Sequence, residues 1–206
     1  MFSNELKLIS GKTLEPLGRA FGRLGISANH ITVASFFLTF YVAWLIYNQE
    51  IYSAFFFGLI LALFDGLDGL IARSTGTSSL RGGYLDSFVD RYADCVVLGA
   101  LILCDWLEPI RFLEFIPTEI WAIAALIGAF QTSYSRASSE RSGVSMDNVG
   151  MIERPERAFI LGIGMLIGEI TGSVEMVMTW VVAVLAILGN FTAFQRLHYF
   201  WSKAKD

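Results

Sequence analysis

Five aspartates stand in stretches that are otherwise apolar. Asp65 and Asp68 lie three residues apart near the end of one hydrophobic run; Asp86, Asp90 and Asp94 lie four apart at the start of the next. Spacings of three and four put side chains on one face of a helix. Two helices joined by a short connection would each present a stripe of acids at one depth. A charged side chain at the centre of a bilayer costs roughly 3 kcal/mol on insertion scales, and facing carboxylates repel one another unless a counter-charge sits between them. Carboxylates without Cys or paired His select a hard divalent cation, Mg²⁺ or Mn²⁺. Four such ligands from two helices suffice for two ions, an arrangement suited to displacement at phosphorus. The competing readings are a proton or ion path, or pairing of the acids with Arg73, Arg81 and Arg91.

The neighbours of the acids favour phosphate chemistry. Gly69 and Gly82 carry no side chain, so a ligand can approach the helix backbone closely. Arg73 supplies a permanently charged fork suited to phosphate oxygens. Asp94 and Arg91 read as supporting groups rather than metal ligands.

Positioning these residues requires helices in a membrane. Of the 206 residues, 54% are hydrophobic and only 17% charged, with 17 Phe and five Trp. Soluble domains carry about 25% charged residues. The composition excludes disorder, a coiled coil and a disulfide-stapled module, and the length suits a single domain over residues 1–206. The net charge of −4 argues against a nucleic-acid partner. Cys95 and Cys104 are nine residues apart, roughly 13 Å along a helix, too far to bridge.

Six apolar segments approach the length needed to span about 30 Å of hydrocarbon: Ile31–Tyr47, Ile51–Ala72, Leu85–Trp106, Ile120–Tyr134, Ala158–Ile170 and Val174–Phe194. The fourth is expected to run on past Tyr134, and the fifth to begin near Pro155. Upstream, Met1–Arg23 mixes Lys7, Lys12, Arg19 and Arg23 with Leu6, Leu8, Ile9, Leu14, Leu17 and Phe21. That pattern predicts an amphipathic helix in the membrane interface, and no cleavable signal peptide. The expected fold is thus all-α and integral to the membrane, with six transmembrane helices and an interfacial N-terminal helix.

Charge sets the expected orientation. The even-numbered connections carry Arg73, Arg81, Arg136, Arg141, Arg154 and Arg157, whereas the odd-numbered ones carry only Arg111. Positive-inside bias places both termini, the even connections and the aspartates on the cytosolic side of the cell membrane.

The run Asp65-Gly66-Leu67-Asp68-Gly69-Leu70-Ile71-Ala72-Arg73, followed by Gly82, Asp86 and Asp90 at fixed intervals, resembles the signature of the CDP-alcohol phosphotransferase family. The resemblance implies a homodimeric membrane enzyme that displaces CMP from a CDP-linked lipid with an alcohol, using two divalent ions. It implies that Asp65, Asp68, Asp86 and Asp90 hold the metals and that Asp90 takes the proton from the attacking hydroxyl. Asn29-His30-Ile31-Thr32 resembles the family's Pro-Asn-x-x-Thr element, with Ala28 where Pro is common. By that resemblance Asn29, Thr32, Gly69, Arg73, Ser79 and Gly82 contact the nucleotide. His30 reads as interfacial rather than as a base.

The signature leaves the acceptor open. Three further stretches, Ser133–Glu140, Ile152–Arg157 and Thr192–His198, resemble the branch of the family that makes phosphatidylinositol phosphate or archaetidylinositol phosphate. Arg136, Arg154 and Arg196 fall at the cytosolic ends of the last three spans. Three converging cations suit an acceptor that itself carries phosphate, and the resemblance implies inositol 1-phosphate, with CDP-diacylglycerol or CDP-archaeol as donor. Other acceptors or donors within the family are glycerol 3-phosphate and CDP-inositol; a proton or ion transporter is the alternative from a different class. Arg157, beside Glu153 and Glu156, reads as a structural pair.

Overall fold

The computed structural model describes residues 24–104, 106–110 and 115–204, together with residues 16 and 20–22. Apart from those last four positions, the amphipathic segment expected over Met1–Arg23 lies outside the described residues. Among the described residues the chain is helical, without strands. Its long helices are α1 Ala28–Tyr47, α2 Ile51–Thr75, α3 Leu80–Leu103, α4 Thr118–Arg141, α5 Arg154–Thr171 and α6 Val174–Lys203.

Local chemistry explains the boundaries. Ser27 precedes α1; its hydroxyl accepts the His30 N–H at 3.4 Å while His30 Nδ1 accepts the Ser27 N–H at 3.2 Å. The His30 ring is thereby engaged at the start of α1. Gly76 follows α2 with φ 67°, a left-handed conformation that closes a helix cheaply only when the residue is glycine. Ser79 then caps α3, its Oγ accepting the Gly82 N–H at 3.1 Å. As the sequence leads one to expect, α4 continues past Tyr134 and α5 starts beside Pro155, the proline in the first turn where its missing N–H costs nothing.

Among the described residues three helices, α1, α2 and α6, are long and apolar enough to cross a membrane. The others are helical but more polar: α3 carries Arg81, Asp86, Asp90, Arg91 and Asp94, and α5 has only 18 residues, roughly 27 Å of rise. Large apolar side chains such as Phe37, Trp44, Phe56, Phe194 and Trp201 are exposed, the pattern expected of a surface solvated by lipid rather than water. Cys95 is half-buried and Cys104 buried, its Sγ 3.6 Å from the Leu101 carbonyl oxygen.

The chain divides into two compact units, with the boundary falling within each of α1, α2 and α3. One comprises residues up to Val42 and Phe56–Ala93, and is packed around Ile31, Leu70, Ile71 and Val89. The other comprises Ala43–Phe55 and the chain from Asp94 onward. In this second unit α4 meets α6 through glycines: a Cβ on Gly128 would come within 2.8 Å of the backbone at Gly189 and Asn190. Small residues allow such close approach, and polar groups then bridge the helices. Thr132 Oγ1 donates to the Gly189 carbonyl at 3.3 Å, and Asn190 Nδ2 to the Ala124 carbonyl at 2.8 Å.

Candidate functional site

The first unit contains the aspartates. On α2 and α3, one carboxylate oxygen from each of Asp65, Asp86 and Asp90 lies within 4.8 Å of the other two. Three hard oxygen donors that close fit a divalent cation, the donor chemistry expected from residue type alone. Asp90 also lies 3.7 Å from Arg91 Nη2.

Asp68 is the exception among the four expected ligands. It lies outside this trio and is turned toward α1: its Oδ2 accepts the Thr32 hydroxyl at 2.8 Å, and its Oδ1 accepts the Gly69 N–H at 2.6 Å. The carboxylate is buried, so it takes the donors that packing brings to it.

A cavity of about 190 Å³ opens beside Asp68 and Asp86. Asn29, Thr32, Gly69, Arg73, Ser79 and Gly82 all line it, so the six residues expected to meet a nucleotide share one pocket. The two glycines are there for space. A Cβ on Gly69 would press against the Arg73 guanidinium at 3.1 Å, and one on Gly82 would meet Asn29 Oδ1 and Ser79 Oγ at 3.3 Å. Thr77 and Ser78 also line the pocket. Sequence reading passed over them, because a hydroxyl in a connection is too common a feature to single out.

The second unit contains the arginines, and here the structure differs from a free cationic triad. Arg136 is held by three acids: Nε donates to Glu140 at 3.2 Å, Nη2 to Asp147 at 3.1 Å and Nη1 to Glu153 at 3.4 Å. Arg196 is buried, its side chain 2% exposed. Its Nη2 donates to the same Glu153 oxygen at 2.9 Å, its Nε to the Val149 carbonyl at 2.8 Å and its Nη1 to the Thr132 carbonyl. Arg154 has Nε 3.9 Å from Asp94, which also accepts Arg157 Nη2 at 3.0 Å. Arg136 and Arg196 are therefore brought together on one Glu153 oxygen, and Arg154 lies beside a different carboxylate. Arg157 pairs with Asp94, a carboxylate distant in the chain, whereas the sequence pointed to the adjacent Glu153 and Glu156.

Asp147 escaped the sequence reading, and Glu153 was matched there to Arg157 rather than to Arg136 and Arg196. The general rule that a buried guanidinium needs a carboxylate would have flagged Glu153.

The segment between α4 and α5 is clamped onto α6. Thr192 Oγ1 accepts the N–H groups of Met151 and Ile152, each at 3.2 Å. Gly150 adopts φ 121°, and any Cβ there would strike the Thr192 methyl.

Comparison with known proteins completes the description. Residues 26–188 match the family model described as CDP-alcohol phosphatidyltransferase. The chain is 34% identical over 193 residues to the archaetidylinositol phosphate synthase of Pyrococcus horikoshii, covering 90% of this chain and 89% of that one. It is similar to the crystal structure of Mycobacterium tuberculosis phosphatidylinositol phosphate synthase with CDP-DAG bound, with TM-score 0.78 and 27% identity over 91% of this chain and 93% of that one. The same enzyme in complex with manganese and citrate matches with TM-score 0.77 and 28% identity, over 91% of this chain and 88% of that one.

Proposed function

The chain belongs to the CDP-alcohol phosphatidyltransferase family, and from that premise we propose that it transfers the phosphatidyl or archaetidyl group of a CDP-activated lipid to inositol 1-phosphate, releasing CMP. The observation that carries the reading is the pocket of the first unit, where Asn29, Thr32, Gly69, Arg73, Ser79 and Gly82 surround one cavity beside Asp68 and Asp86. The names of the relatives support the acceptor.

Asp65, Asp68, Asp86 and Asp90 are the proposed ligands of two divalent ions, Mg²⁺ or Mn²⁺; the trio of Asp65, Asp86 and Asp90 and the manganese complex of the mycobacterial relative support this. When bound, such ions withdraw charge from the diphosphate and stabilise the departing CMP. The protein does the rest. Gly69 and Gly82 let the cytidine diphosphate lie against the backbone, and Arg73 binds its phosphate oxygens. Asn29, Thr32 and Ser79 orient the nucleotide. Asp90 accepts the proton of the acceptor hydroxyl as its oxygen bonds to the lipid-linked phosphorus and the bond to CMP breaks. Arg136, Arg154 and Arg196 hold the phosphate that the acceptor already carries.

We read the molecule as one membrane domain over residues 1–206, with six transmembrane helices, an interfacial N-terminal helix, a site facing the cytosol and a homodimeric assembly. The apolar α1, α2 and α6 support the membrane setting, and the arginine distribution supports the orientation.

The test is reconstitution in vesicles with CDP-diacylglycerol and inositol 1-phosphate, reading CMP release and the mass of the lipid product. Phosphatidylinositol phosphate is the expected product. CMP release only with glycerol 3-phosphate, or a soluble product from CDP-inositol, would move the reading within the family. Ion flux without CMP would make the protein a transporter.

A further inference from the structure

Glu153 stands where three segments meet. It occupies the position before α5, with extended φ −111° and ψ −175°, and its N–H donates to Glu156 Oε2 at 3.0 Å. One of its oxygens, Oε1, accepts from Arg136 on α4 and from Arg196 on α6. The two guanidinium groups that come together in the second unit do so on this single atom. Two like charges side by side repel, so their approach needs a shared anion.

We propose that Glu153 is the positioning residue of the acceptor-phosphate site: it holds Arg136 and Arg196 in fixed register so that phosphate meets two oriented forks. The proposal rests on the acceptor reading above. Glu153 does not touch substrate in this scheme; it acts through the arginines.

Two effects of removing its charge oppose each other. The site becomes more positive, which favours an anion. The shared partner is lost, which lets the forks separate. Orientation dominates for two reasons. Arg136 keeps Glu140 and Asp147, so its own neutralisation is only partly relieved. Arg196 is buried; the Val149 and Thr132 carbonyls still hold its Nε and Nη1, but its Nη2 loses the carboxylate that aligns it with Arg136, and an undercompensated buried charge is unfavourable. Acceptor affinity should therefore fall.

The experiment measures saturation curves for inositol 1-phosphate and CDP-diacylglycerol with the full-length enzyme in vesicles. Glu153→Gln keeps the shape and removes the charge. It should raise the acceptor KM about tenfold, the loss expected when charge-assisted contacts are misaligned, with the donor KM unchanged. Glu153→Asp keeps the charge and remains a good helix cap, but withdraws the carboxylate by one methylene. It should restore part of the affinity, and it carries the test if Glu153→Gln does not fold.

An acceptor KM that stays put or falls in the Glu153 variants, while Arg136→Gln raises it, overturns the inference and leaves the acceptor reading intact. A drop in melting temperature and kcat with both KM values unchanged also overturns it, since that is a merely structural role. If Arg136→Gln and Arg196→Gln leave the acceptor KM unchanged, the acceptor reading fails and the inference with it.

Discussion

The Thr32 hydroxyl donates to Asp68 Oδ2 across 2.8 Å, linking α1 to the acidic face of α2. The two residues are 36 apart in sequence. One belongs to the proposed nucleotide contacts and the other to the proposed metal ligands, so donor recognition and metal binding share a hydrogen bond. Thr32→Val removes the donor at nearly constant volume and leaves a buried carboxylate short of a partner. A lost hydrogen bond to a charged group is worth roughly 1.5–3 kcal/mol, so kcat/KM for the CDP-lipid should fall about ten- to a hundredfold. Thr32→Ser should retain most activity. Wild-type kinetics in Thr32→Val would dissociate the two functions.

Metal dependence follows from the carboxylate trio. Activity should vanish in chelator and return with Mg²⁺ or Mn²⁺. Asp65→Asn and Asp86→Asn should each nearly abolish turnover, because each removes the negative charge of one of three carboxylates whose oxygens lie within 4.8 Å. Full turnover in chelator would exclude a metal mechanism.

Asp90 is assigned two roles, and they can be separated. If its chief task is to accept the hydroxyl proton, Asp90→Asn should bind CDP-diacylglycerol nearly as well as wild type yet lose kcat. Loss of donor binding along with activity would make it chiefly a metal ligand. Calorimetric titration with the donor, beside a turnover assay, distinguishes the two.

Glycine at position 82 leaves no slack. A methyl group there meets Asn29 Oδ1 and Ser79 Oγ at 3.3 Å, both lining the same pocket. Gly82→Ala should therefore raise the donor KM severalfold and leave the acceptor KM alone. The same two saturation curves check it; an unchanged donor KM would show that both side chains yield freely.

The arginines should separate by environment. Arg136→Gln and Arg154→Gln should raise the acceptor KM roughly ten- to a hundredfold with little change in stability. Arg196→Gln should do so and also lower the melting temperature, since Arg196 donates to the Thr132 and Val149 carbonyls as well as to Glu153. Thermal unfolding in detergent reads the difference. Equal stability for all three variants would contradict the buried role of Arg196.

What the sequence determined by itself is local. The acid stripes follow from helical periodicity, so Asp65, Asp68, Asp86 and Asp90 group together from spacing alone, three of them being the trio within 4.8 Å. The start of α5 at Pro155, the run of α4 past Tyr134 and the need for bare backbone at Gly69 and Gly82 are likewise properties of neighbouring residues. Even the six pocket residues were legible, because a motif constrains types at fixed spacing. Tertiary structure decided which way side chains turn when several partners compete. Asp68 accepts the Thr32 hydroxyl from α1, and no spacing on α2 could say so. Arg136 and Arg196, 17 and 43 residues from Glu153, share one oxygen on helices α4 and α6, which approach closely at Gly128 and Gly189. Arg154, next to Glu153 in the chain, turns instead to Asp94. Ion pairs between helices depend on rotation and approach in three dimensions, and the hydrophobic pattern that sets the helices leaves both open.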